Sequence, residues 1–534
     1  MNQNEVKRRK IQGFADIISL ITILIAGRIV KANGITYLAA AFLAFSFLWM
    51  CFGGNTADTL GALLRSRNIK GQYKNAAKMR RSIMILQMFT GLTGTALLFL
   101  GANVIGVKLF SVQYSVFLIM LLSPAMFLRS ISVVLMGFCQ GEGSEFPSAA
   151  ASVLRQVFIL VFSLIFCRSL GKYGENVGRL LVQGNFAAMY AAAGIAIAVN
   201  VSEVLVILFL LVIRRVNRHF GKIDSPEGMR SIDSFVGAVR SFTVNRAPHF
   251  VIRLLVLLPV VVGLLLFQKS TVNQEMGSLE FGVYFGKYLV YCLICILFIE
   301  GVSLPVCSRT VISLRKEEQR FARVVFQSGV HITAIHSLFL AVFLSVMASQ
   351  AANVFDSGNV QTAQMLLQGG SLIIPCIALS VYFGRFLILT GKKFLVAAVL
   401  VISDVVHILC LVLFLKVWKV GILALIYGGI MGWAVCCILL GVTTYRQLRI
   451  SNLWFQTFIV PVGAVCVTGL LCMLLSKLIG PHLGDIVTMI VCGLVSAIIY
   501  WAILLLSRNF REQELECIPG GRVIATLGQM LRVF

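Results

Sequence analysis

The sequence predicts an all-α integral membrane protein of about fourteen transmembrane helices: two pseudo-symmetric six-helix bundles, then two further helices. Three observations predict it. Hydrophobic residues make up 59 % of the 534, charged residues only 13 %, and the mean hydropathy is +0.93, a balance foreign to soluble chains of this length. Apolar runs of the roughly 20 residues needed to cross a hydrocarbon core about 30 Å thick recur along the whole chain. Similar motifs also return in the same order in the two halves.

The N-terminus MNQNEVKRRK is basic and runs into the first apolar stretch with no small-residue cleavage site, so that stretch reads as a retained signal-anchor helix. Apolar spans fall at 12–30, 36–62, 82–101, 113–137, 148–167, 184–213, 246–267, 281–306, 325–348, 363–388, 395–415, 420–442, 453–476 and 484–507. The loops set the orientation. Residues 65–81 carry seven bases, 214–240 six and 307–323 five. The loops between them are poorer: 102–112 has only Lys108, 168–183 has three bases and 349–362 none. Basic loops mark the cytoplasmic side, which places both termini there.

Pro124 begins a stretch that turns at Gly141 and enters a helix holding Arg155; Pro375 begins one that turns at Gly391 and continues to Asp404. The two Pro-to-Gly spacings agree to within one position, and LLRSRNIKGQYKNAAKMRRSI is echoed by VCSRTVISLRKEEQRFARVVF. The resulting division is 1–213 and 246–445 for the two halves, 214–245 for a cytoplasmic linker, 446–507 for two extra spans and 508–534 for an amphipathic tail. An even number of spans per half gives both halves the same orientation, a transporter pattern with the substrate site expected between them.

An ionised side chain at mid-membrane costs on the order of 3 kcal/mol, so it faces water, a ligand or a partner. In VNRAPHFVIRLLVLLPVV, Arg246, His249 and Arg253 share one helix face. Arg246 and His249 either snorkel to the cytoplasmic edge or join Arg253, one turn deeper, in a cavity. Lys287 shares a face with Tyr284 and Tyr291, whereas Glu300 lies on another face, as an ion pair or a functional group. Arg28 closes the first span. Asp58, Glu203, Asp404 and His407 either bind a coupling ion or satisfy buried arginines. Arg129 and Arg155 are expected to face other helices, and Glu142 and Glu145 to pair with the bases of 65–81, closing a cytoplasmic gate. Arginine-rich faces suit a diphosphate, because guanidinium offers forked donors to phosphate oxygens.

Several classes drop out. The excess of 46 Lys and Arg over 21 acids sits in short loops, so no nucleic-acid partner is expected. No GxxxxGK[ST], HExxH or nucleophile elbow occurs, and GEGSEF at 141–146 follows no strand. The fourteen cysteines lie mostly in apolar runs, the Cys292/Cys295 pair among them, which reads as packing and not as a metal or disulfide site. An enzyme is not expected.

Four stretches carry a family likeness: LGALLRSRNIKGQYKNAAKMRRSI, SPAMFLRSISVVLMGFCQGEGSEFPSAAASVLRQVF, SLPVCSRTVISLRKEEQRFARVV and the tail EQELECIPGGRVIATLGQMLRVF. In order and spacing they resemble the multidrug/oligosaccharidyl-lipid/polysaccharide (MOP) flippase superfamily, nearest the stage V sporulation protein B and lipid II flippase branches. The resemblance implies paired helical bundles that move an anionic lipid-linked sugar precursor by alternating access. It also implies that basic residues of spans 1 and 8 line the cavity: Lys287 falls within one residue of the span 8 position. Arg28 aligns with the span 1 position or with a more external arginine of the sporulation branch. GITYLAAAFLAF lacks the acid expected near the start of span 2, and FGRFLILTGKK departs from the usual glutamine-glycine turn, which favours a divergent relative over the principal lipid II flippase.

The expected ligands of the diphosphate are therefore Arg253, Lys287, Arg28, Arg246 and His249, with Asp58, Glu300, Asp404, Glu142 and Glu145 as coupling or gate residues. No bound cofactor is expected; a coupling cation (Na+ or H+) or the membrane potential would supply the energy. Partners would be the lipid-linked oligosaccharide, membrane lipids and cell-wall synthesis proteins. The rivals are a cation-coupled multidrug exporter and a non-transporting scaffold of a cell-wall or sporulation complex.

Overall fold

A computed structural model describes residues 3–216, 234–271, 273–354, 359–450, 455–510 and 526, and every regular element among them is helical. Linker residues 217–233 and the tail beyond Phe510, apart from Thr526, lie outside the described residues. The helices are α1 (Gln3–Phe52), α2 (Thr56–Ile69), α3 (Tyr73–Asn103), α4 (Ser115–Gly141), α5 (Phe146–Leu181), α6 (Asn185–Val216) and α7 (Phe235–Ser270). After them come α8 (Gln274–Val283), α9 (Leu289–Arg315), α10 (Gln319–Val346), α11 (Ala348–Asn353), α12 (Val360–Gly370), α13 (Ile373–Leu389), α14 (Lys393–Val412), α15 (Leu423–Leu448), α16 (Val460–Ile479) and α17 (Asp485–Leu506).

Among the described residues twelve helical runs are long and apolar enough to cross a membrane, and α12 with α13, bent by 53°, makes a thirteenth. The run Arg8–Ile69 has 62 residues, about 93 Å at 1.5 Å per residue, too long for one crossing. It is broken at Lys31, whose φ of 60° lies outside helical space, so it supplies two spans and brings the total to the fourteen read from the sequence. The protein is a multi-pass α-helical membrane protein.

The two repeated turns share one geometry. Gly141, where the sequence places the first turn, is instead the last residue of α4; Gly143 just after it and Gly391 after α13 both have φ of 90°, a conformation natural to glycine alone. The N–H of Gly143 reaches the carbonyl of Gln140 at 3.2 Å, and that of Gly391 the carbonyl of Ile388 at 3.2 Å. Pro147 opens α5, where its missing N–H leaves no helical bond unmade.

The chain forms two compact units, Asn2–Gly282 and Val283–Phe534. Contact-defined units and sequence halves are different divisions: α7, counted with the second half in the sequence, packs on α1, α2 and α3 of the first unit. The core of that unit joins Leu60 and Leu64 of α2, Met79 and Ile83 of α3, Phe138 of α4, Val206 of α6 and Phe242 of α7. Small residues bring α5 against α6: a Cβ at Gly194 would stand 2.6 Å from the backbone nitrogen of Cys167. Gly194→Val is therefore expected to lose about 1–3 kcal/mol, the usual range for overpacking, read as a lower unfolding midpoint of the purified protein.

In the second unit Phe326 of α10 is enclosed by Tyr382, Phe386 and Tyr445. The extra helices dock on α10: Ile335 clusters with Val465 of α16 and with Tyr500 and Leu504 of α17. The Tyr500 hydroxyl donates to the Ile335 carbonyl at 3.1 Å, and the buried pair His331 and Asn509 meets at 3.0 Å.

Candidate functional site

The span expected at 36–62 is a broken helix. α1 ends at Phe52, Asn55 turns left-handed at φ 62°, and α2 begins at Thr56. The last turn of α1 thus releases carbonyls that need donors from elsewhere. Arg246 of α7 supplies them: Nε donates to Gly54 O at 2.8 Å, one terminal nitrogen to Phe52 O at 2.9 Å, the other to Met50 O at 3.1 Å and Cys51 O at 2.8 Å. Gln87 adds a donor to Phe52 O at 3.3 Å. The sequence reading gave Arg246 to a ligand; its fork is instead occupied by the end of α1. His249 follows half-buried, and Arg253, two turns along, is exposed. Arg253 has no hydrogen-bond partner among the described residues, and its charge acts on Asp58.

Asp58, in the first turn of α2, is paired with Arg8, a residue only 5 % exposed. Arg8 also lies 3.3 Å from Glu145, whose other oxygen accepts from Arg65 at 2.6 Å. Glu142 pairs with Arg80 at 3.2 Å. The expected pairing of the acidic turn with bases of 65–81 is thus present, with Arg8 added. These pairs tie α1, α2, α3 and the α4–α5 turn together inside the first unit. Arg65 and Asn68 also donate to the carbonyls of Gln140 and Gly141, each at 3.0 Å, capping α4. Arg28 is exposed on α1, just before the break at Lys31, and carries no pair among the described residues.

A second charged group lies deeper in this unit. Glu203 of α6, fully buried, meets Arg155 of α5 at 2.9 Å and Arg129 of α4 at 3.8 Å. Ser132 donates to Glu203 at 2.8 Å and accepts from Arg155 at 3.0 Å. Glu203 therefore neutralises arginines, one of the two roles the sequence left open for it.

In the second unit Lys287 is 2 % exposed and donates from Nζ to Ala352 O at 2.7 Å. Tyr291 donates to Ala351 O at 3.0 Å and Tyr288 to Gly370 O at 2.9 Å. One face of α9 and the π-helical turn before it thereby fastens the ends of α11 and α12. Glu300 is paired with Arg385 of α13, from the same FGRFLILTGKK that departed from the family pattern. Asp404 is 6 % exposed, and its Oδ2 has no hydrogen-bond partner among the described residues. The neighbouring Ser403 donates to Gly432 O at 2.7 Å, and His407 packs on Gly432.

Arg246, His249, Arg253, Asp58, Arg28, Glu142 and Glu145 thus belong to the first unit, and Lys287, Glu300 and Asp404 to the second. Sequence reasoning missed the bridging role of Arg8, which its position in a basic N-terminus disguised, and the Arg385 partner of Glu300. Among the described residues no group of three or more His, Cys, Asp or Glu is placed to hold a metal ion.

No family model matches the sequence, and no curated protein matches it. Solved structures do match the fold. An inward-facing multidrug resistance MATE family transporter of the MOP superfamily aligns with a TM-score of 0.65 at 15 % identity, over 84 % of this chain and 98 % of that one. Lipid II flippase MurJ in an inward closed conformation aligns with a TM-score of 0.63 at 12 % identity, over 92 % of this chain and 99 % of that one. A MOP superfamily transporter from Pyrococcus furiosus, described as having a binding pocket of reversed polarity, aligns with a TM-score of 0.59 at 14 % identity, over 84 % and 98 %. The fold of this chain is that of the MOP superfamily of transporters.

Proposed function

We propose that this protein is a flippase that moves an undecaprenyl-type, lipid-linked cell-wall or polysaccharide precursor across the bacterial plasma membrane by alternating access. One observation carries the choice of an anionic cargo. In the spans, Asp58, Glu203 and Glu300 are each consumed by an arginine, while Arg28 and Arg253 are exposed without a hydrogen-bonded partner among the described residues. A carrier of cationic drugs needs unspent acids; of Asp58, Glu203, Glu300 and Asp404 only Asp404 is left, whereas the two exposed guanidinium groups suit a diphosphate.

The lengths of the alignments lend support. The likeness to lipid II flippase covers 92 % of the chain against 84 % for the multidrug transporter. The added coverage is close in length to α16 and α17 together, which have 20 and 22 residues. In this reading Arg253 and Arg28 bind the diphosphate, as does Lys287 once it leaves the Ala352 carbonyl. Asp404 binds the coupling cation or proton, and cell-wall synthesis proteins supply and remove the lipid.

The unpartnered Oδ2 of Asp404 favours the second reading, a cation-coupled multidrug exporter. Vesicles containing the purified protein decide between them: lipid II and one other lipid-linked oligosaccharide are offered, with and without a membrane potential. Flipping of either lipid, abolished in Arg253→Ala and Lys287→Ala at unchanged protein level, is the expected result. Export of an organic cation with no lipid movement would select the second reading.

A further inference from the structure

The charged group around Glu203 is not balanced locally. Arg155 stands 2.9 Å from one carboxylate oxygen as an ion pair without a hydrogen bond and donates to the Ser132 hydroxyl at 3.0 Å, while Ser132 donates to the other carboxylate oxygen. Arg129 is left with the same carboxylate at 3.8 Å, too long for a hydrogen bond. None of its donors is hydrogen-bonded among the described residues, and its Nε is buried without a partner. Asp16 of α1 acts on it only through space.

Arg129 stands midway along α4, a helix that packs on α1, α3 and α6, yet its side chain remains 30 % accessible. Two rings of α1 frame it, Trp49 with its centroid at 5.3 Å and Phe45 at 5.9 Å from Cζ. Both are at most 8 % exposed. A guanidinium in this setting has fixed walls, a fixed neighbour that repels it, and a free fork of donors.

We infer that Arg129 is the centre of an anion site inside the first unit, which takes a phosphoryl group through its guanidinium fork. Arg155 and Glu203 are positioning residues: two guanidinium groups face one carboxylate, which leaves the group with a net positive charge. Glu203, at 3.8 Å, sets the orientation of the fork without occupying it. A planar fork against two aromatic walls selects a flat pair of oxygens, as phosphate and pyrophosphate present, over a spherical ion. A lipid headgroup and a free phosphate offer the same oxygens. The site needs no flipping reaction, so it stands or falls apart from the proposed function.

Trp49 supplies the readout, because the other four tryptophans, Trp418, Trp433, Trp454 and Trp501, all belong to the C-terminal half of the chain. The full chain in nanodiscs of zwitterionic lipid is titrated with inorganic pyrophosphate, with dihexanoylphosphatidic acid and with dihexanoylphosphatidylcholine, and fluorescence is taken as the difference from Trp49→Phe. A saturable change with pyrophosphate and phosphatidic acid is expected, and a change with phosphatidic acid alone assigns the site to a lipid headgroup. Arg129→Gln is expected to remove it, and Arg129→Lys, which keeps the charge but loses the fork, to weaken it about tenfold. No saturable change, an equal response to phosphatidylcholine, or unaltered affinity in Arg129→Lys would overturn the site. The lysine variant decides the matter even if the glutamine variant does not fold.

Discussion

Replacing Glu203 with leucine is expected to cost the protein about 3–5 kcal/mol, because removal of one partner leaves a buried ion uncompensated. The loss is larger than for a typical ion pair, since Arg155 at 2.9 Å and Arg129 at 3.8 Å both lean on this one carboxylate. The Ser132 hydroxyl would lose its acceptor as well. Arg155→Met alone is expected to do less harm, because Arg129 remains to pair with the carboxylate. The combination Glu203→Leu with Arg155→Met should recover part of the loss, as hydrophobic replacement of a whole buried pair often does. Unfolding midpoints of the four proteins in a denaturing detergent series would measure the coupling. Additive losses would mean that Glu203 and Arg155 act independently, contrary to the geometry.

Arg246→Ala carries the second large effect. One guanidinium satisfies four carbonyls at the end of α1, and hydrogen bonds to charged groups contribute about 1.5–3 kcal/mol each before non-additivity is counted. A loss of several kcal/mol is expected, with Arg246→Lys intermediate because an ammonium lacks the spread of donors that reaches all four. The unfolding midpoint separates this role from the one the sequence suggested. A ligand residue would lose transport and keep stability when changed; a helix cap loses stability first.

The scaffold was legible because a bilayer reads length and apolarity, and those are properties of the chain itself. The apolar spans and the Gly391 turn could be read from linear order, whereas the same order puts the first turn at Gly141, two residues before the glycine that makes it. The broken α1–α2 span could not: FGGN marks a turn, but nothing local says that an arginine from α7, far along the chain, closes it. Partners were the general failure. Arg246, Arg253 and His249 share a helix face in sequence, yet Arg246 is spent on backbone, His249 is half-buried and Arg253 is open. Periodicity gives the face of a side chain and not what another helix brings to it. The acidic turn was the exception, since Glu142 and Glu145 had an obvious basic loop to meet and met it through Arg80 and Arg65.

The twin turns at Gly143 and Gly391 have a consequence for assembly of the nascent chain. They bend alike, but the first carries Glu142 and Glu145 and the second Lys392 and Lys393. Internal duplicates risk exchanging equivalent segments while they fold. Here the charges act as a label: Arg8, Arg65 and Arg80 attract the acidic hairpin and repel its lysine-bearing copy. The first half can therefore favour its own hairpin over the twin on charge alone.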